Sequence, residues 1–83
     1  MPVIARFYGI VIRMLSLLTF GVRLHAFHGD GEMVVDLKTL RVIEGTLPEA
    51  IRELVLAWIG LHQKELLGGY WRSAWEVVLT KQA

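Results

Sequence analysis

The feature that most constrains this chain is a change of hydrophobic period at residues 45–48. Before Glu44 the apolar residues form short runs rich in β-branched and aromatic side chains. After Pro48 they recur every three or four residues. Alternation buries one face of a strand, and spacing of three or four buries one stripe of a helix, so neither pattern serves the other element. The switch divides the chain into a strand half and a helix half. Strands followed by helices argue for an α+β fold, not for alternating βαβ units.

In the strand half, Val3 to Phe7 and Ile10 to Leu17 flank Tyr8-Gly9. This predicts a hairpin with Gly9 at positive φ. Thr19 to Val22 reads as a loop pivoting on Gly21. Arg23 to His28 and Glu32 to Leu37 flank Gly29-Asp30-Gly31, a second hairpin signal. Asp36 reads as the residue that initiates the following turn at Lys38-Thr39, and Arg41 to Glu44 as a short fifth strand. The longest apolar run, Met14 to Val22, follows Arg6 and Arg13 as a signal peptide would. It is too short to span a bilayer and lacks a small-residue cleavage pattern, so strand plus loop is the better reading.

In the helix half, Thr46-Leu47-Pro48-Glu49 matches a capping box, with Thr46 as the cap, Pro48 in the first turn and Glu49 reaching back. A helix over about 47–67 follows, with Ile51, Leu54, Val55, Trp58 and Leu61 as its core stripe. Gly68-Gly69 supplies a stop. A second helix, about 70–80, carries Trp71, Trp75 and Val78 on one face. Leu56 and Ile59 lie off the first helix's stripe. A helix apolar on two sides is sandwiched, here by the second helix or by a partner. The expected architecture is an antiparallel sheet of four to five strands (about 3–44) with two C-terminal helices packed on one face, as a single domain over 1–83.

Composition sharpens the partner question. The usual hydrophobic set makes up 54% of the 83 residues. Replacing Tyr by the eight glycines raises the share to about 61%, against roughly 45–50% in ordinary domains. Area scaling lets a chain of this size bury only about 63% of its unfolded surface. Some apolar surface must therefore lie outside, where large patches mark interfaces. The net charge is +1, and the nine basic residues are scattered, so no phosphate-binding face is expected. The absence of cysteine excludes disulfides and thiolate metal sites and fits a reducing cytosol.

Three segments carry a family resemblance: MPVIARFYGIVIRM at the start, GEMVVDLKTLRVIEGTLP in the middle, and AIRELVLAWIGLHQKEL in the first helix. Over residues 1–67 the chain resembles a small bacterial family catalogued as domain of unknown function 4160. Relatives usually carry a His-Asn-Pro-Pro-His-Phe-His stretch where this chain has Thr19 to His25, and only His25 carries over. The resemblance implies membership of a two-gene bacterial cassette with a toxin–antitoxin-like or regulatory partner.

For chemistry, His25 and His28 form the only close histidine pair, and three apart on a strand they point to opposite faces. With His62 they could supply three imidazoles to zinc only if the fold brought them together; no metal or cofactor is expected. A ribonuclease-like reading would use His25 or His28 with Arg23, and Asp30 or Glu32 would orient an imidazole while repelling phosphate. No serine nucleophile setting, glycine-rich phosphate loop or paired-carboxylate cleft is visible. Trp58 reads as core, and Trp71 and Trp75 as anchors for a partner. The expectation is a cytoplasmic, non-catalytic protein-binding module whose partner surface comprises Leu56, Ile59, Trp71 and Trp75. It engages a protein partner or a second copy, with neither nucleic acid nor membrane involved. The alternative is the ribonuclease-like toxin.

Overall fold

The structure, a computed structural model, describes residues 2–17 and 21–68. Five strands, β1 (Val3–Phe7), β2 (Ile10–Leu17), β3 (Gly21–His28), β4 (Gly31–Asp36) and β5 (Val42–Gly45), precede one helix, α1 (Glu49–Leu67). The strands form a single antiparallel sheet in chain order. The fold is α+β as expected. The proposed second helix over 70–80 lies outside the described residues.

Local chemistry explains the meander. Tyr8 and Gly9 both have positive φ, 50° and 75°, the twist that lets a two-residue loop continue two right-handed strands. The sequence pointed to Gly9 alone. Asp36 does initiate its turn: its Oδ1 accepts from the Lys38 and Thr39 amides at 2.8 and 3.1 Å. Gly45 is needed at the end of β5, because its φ is 75° and a Cβ there would collide with the Glu32 carbonyl oxygen of β4.

Alternation along the strands separates two faces. Ile10, Ile12 and Met14 of β2, Leu24 and Ala26 of β3, and Met33 and Val35 of β4 join Val55, Trp58, Ile59 and Leu66 of α1 in one core. Phe7 stacks on Trp58, ring centroids 5.8 Å apart, and Trp58 lies 4.6 Å from the His62 ring. Gln63 donates to the Leu37 and Lys38 carbonyls at 2.9 and 3.1 Å, tying α1 to the β4–β5 turn.

The start of α1 differs from the capping-box expectation. Pro48, not Thr46, is the N-cap, and no side chain caps the helix. Leu47 is the cause: it is buried and packs over Gly31, which holds the chain extended until Pro48. The first helical bond then runs from the Arg52 amide to the Pro48 carbonyl at 2.8 Å. The helix phase differs as well. The buried residues are Val55, Trp58, Ile59, His62 and Leu66. Leu54 and Leu61, expected in the stripe, are 40% and 75% exposed.

Candidate functional site

Among the described residues two surfaces remain once the core is accounted for: the sheet face turned away from α1, and the outward face of α1. On the sheet, strand register sets side chains into rows. Arg6, Val11, Phe27 and Glu32 make one row, and Arg13, His25, Val34 and Glu44 the next. Leu15, Arg23 and Asp36 make a third. No described element lies over these rows. Even so, Val34 is buried outside the main core, sheltered by its neighbours on the sheet.

His25, Glu32, Val34, Glu44 and Gly45 line an open cleft of about 270 Å³. It groups a histidine with two carboxylates. His25 Nδ1 lies 2.8 Å from Glu32 Oε2, a pairing diagonal across β3 and β4, and the imidazole stacks beside Phe27. The Glu32 carboxylate accepts the Nδ1 proton, which leaves Nε2 as the reactive nitrogen. Nε2, however, is buried without a hydrogen-bond partner among the described residues. A general base needs its nitrogen within hydrogen-bond reach of the group it deprotonates, and in this arrangement Nε2 is buried. The cleft instead presents the Glu32 and Glu44 carboxylates, which repel phosphate.

The three histidines do not come together. His25 stands on the open sheet face. His28 has the parity of Leu24 and Ala26 and sits at the end of β3 against the Gly9 turn. His62 is buried beneath α1 beside Trp58. Arg23 does share a face with His25, two residues along β3. Among the described residues, no three His, Asp or Glu side chains are grouped as a metal site requires.

The residues expected to bind a partner fare differently from one another. Ile59 is fully buried in the core, which corrects its expected place on a partner surface; Leu56 is half-buried against the core. Trp71 and Trp75 lie outside the described residues. The exposed large apolar residues of α1 are Leu54, Leu61 and, at its last position, Leu67; Ala50, Ala57 and Gly60 are exposed beside the first two. Sequence reasoning assigned Leu54 and Leu61 to the wrong side. Two signals could have found this face: the alternation Ala50, Leu54, Ala57, Leu61 at spacings of four, three and four, and an unexplained glycine in mid-helix.

The fold and its surfaces define a small α+β domain, a five-stranded antiparallel meander backed by a helix. The chain belongs to the family described as Domain of unknown function (DUF4160), whose model matches residues 9–71. No curated protein and no solved structure matches it. Among the described residues no helix is long and apolar enough to cross a membrane, which says nothing of β-barrels.

Proposed function

We propose that this chain is a small, non-catalytic, cytoplasmic protein-binding module, one component of a bacterial two-gene toxin–antitoxin-like or regulatory cassette, engaging a protein partner or a second copy. The observation that carries the reading is the outward face of α1, where Leu61 is 75% and Leu54 40% exposed on a helix whose other side already fills the core. Leucines in water on a rigid helix are the material of helix-to-helix recognition. The test is to co-express the chain with the product of its neighbouring gene and purify by a tag on one of them. Stoichiometric capture is expected, lost with Leu54→Glu and Leu61→Glu together. Failure of the wild-type pair to co-purify, with no self-association either, would sink the reading.

The alternative is a ribonuclease-like toxin. It keeps one specific support, the Glu32 carboxylate holding His25 Nδ1 at 2.8 Å on the face that also carries Arg23. Against it stand the shielded Nε2 and the two carboxylates at the cleft. His25→Ala combined with His28→Ala separates the readings. A toxin would lose growth arrest and RNA cleavage; a binding module would keep its partner.

A further inference from the structure

We infer that the outward face of α1 is a self-association surface, packing antiparallel against the same face of a second copy. The inference rests on the protein-binding reading and names the partner. Its first support is Gly60. This glycine is exposed in the middle of a 19-residue helix, and glycine weakens a helix relative to alanine. Nothing among the described residues requires it. Among the described residues a Cβ at Gly60 would meet only Leu40 Cδ1, at 4.0 Å, an ordinary contact at most. Close approach of a second backbone is a use for a glycine there that the described residues leave open.

The second support is the pattern around it. Ala50, Leu54, Ala57, Leu61 and Lys64 recur at spacings of four and three, the narrow seam by which two helices pack knobs into holes. Small residues alternate with leucines along the seam. An antiparallel two-fold sets Ala57 opposite Leu61 of the second copy, Leu54 opposite its Lys64, and Ala50 opposite its Gly68. Each large side chain then meets a small residue or a flexible lysine stem. A parallel pairing would stack leucine on leucine and leave the alanines facing gaps.

Charge selects the same direction. Glu53 adjoins Leu54, so the antiparallel pairing brings it alongside Lys64 of the second copy, twice by symmetry. The parallel pairing would set Lys64 against Lys64 in the seam and leave Glu53 without that lysine. The contact is modest in size. Nineteen helical residues span about 28 Å, and one helix per copy buries less than the roughly 1,600 Å² of a standard interface. The dimer should therefore be weak, dissociating in the micromolar range.

Analytical ultracentrifugation of the full 83-residue chain from about 1 to 300 μM tests this directly. The wild type should pass from 9.4 kDa to twice that mass. Leu61→Glu should weaken association at least tenfold without lowering Tm at low concentration, because Leu61 is mostly in water. Gly60→Ala should raise Tm at low concentration and still weaken association, a divergence that a purely structural glycine would not produce. Glu53→Lys and Lys64→Glu should each weaken the dimer several-fold, and the double variant should recover it, which only the antiparallel pairing predicts. A wild type that stays at 9.4 kDa throughout overturns the inference. If that monomer also loses Tm on Leu61→Glu, the face is covered by the chain's own residues 69–83. Dimers of wild-type strength in both Leu61→Glu and Gly60→Ala would overturn it as well. Retained capture of the neighbouring gene's product alongside a failed dimer would remove this inference and leave the protein-binding reading standing.

Discussion

The two sides of α1 are both apolar, yet one is buried and the other is not. The inner side carries Val55, Trp58, Ile59, His62 and Leu66; the outer carries Ala50, Leu54, Ala57 and Leu61. The difference is one of shape. The inner side is bulky, branched and aromatic, and it joins Ile12, Leu24 and Met33 in one core, where interiors are close-packed. The outer side alternates small with large, which leaves grooves that nothing in the described fold enters. Hydrophobicity alone does not tell core from interface on a helix; the distribution of volume along it does.

The largest effect that would break this comparison lies at Trp58. Trp58 is 8% exposed and stacked on Phe7, and aromatic-to-alanine changes in cores cost about 3–5 kcal/mol. A domain of this size holds roughly 4–12 kcal/mol in total. Trp58→Ala should leave the chain unfolded or nearly so in chemical denaturation. Trp58→Phe should be far milder, because the indole Nε1 has no hydrogen-bond partner among the described residues and its loss orphans nothing. Equal losses for the two variants would mean that the nitrogen, not the ring's bulk, matters.

Next in size is Ile59, which has no exposure and sits one residue from the outward glycine. Ile59→Ala should cost about 2–4 kcal/mol by urea titration, from lost contacts plus the cavity left behind. A loss below about 1 kcal/mol would return Ile59 to the partner surface, where its off-stripe position in the sequence first placed it.

These positions also mark where the sequence was legible. The strands could be read because their turns are chemical: Tyr8-Gly9, Gly29-Asp30 and Asp36 each fix a loop through positive φ or a side-chain hydrogen bond. The start of the helix was misread because Thr46 to Glu49 satisfies a motif that the tertiary structure overrides, with Leu47 drawn into the core. The phase of the helix was misread because two apolar stripes overlap at Val55 and Trp58. Spacing alone cannot rank Leu54 and Leu61 against Ile59 and Leu66. At the cleft, the sequence offered Asp30 and Glu32 as orienting carboxylates for His25 or His28, and the fold pairs Glu32 with His25. The shielding of Nε2 depends on how the sheet's rows pack, which no local pattern encodes.

Gly60 gives a smaller effect of opposite sign. Its backbone is helical and, among the described residues, a Cβ there would make only an ordinary contact with Leu40, so Gly60→Ala should stabilise the monomer by about 0.5–1 kcal/mol through helix propensity. Thermal unfolding at low micromolar concentration should show Tm rising by a few degrees. A fall in Tm would mean that the glycine serves the monomer, and the contrast between the two sides of α1 would lose its outer half.

The smallest expected effect is at Leu61. It is the most exposed leucine described, at 75%, on the same helix as Ile59 and only two residues away. Truncating a side chain that is already in water removes little burial and opens no cavity, so Leu61→Ala should change monomer stability by no more than about 0.5 kcal/mol. Alanine's better helix propensity offsets part of even that. The informative measurement is the same denaturation repeated at high and low protein concentration. At low concentration wild type and Leu61→Ala should coincide. At high concentration the wild type alone should gain stability, because a partner that binds only the folded state shifts unfolding by mass action. If Leu61→Ala costs as much as Ile59→Ala at every concentration, the outer leucine is structural in the monomer. Both sides of α1 would then belong to a single core.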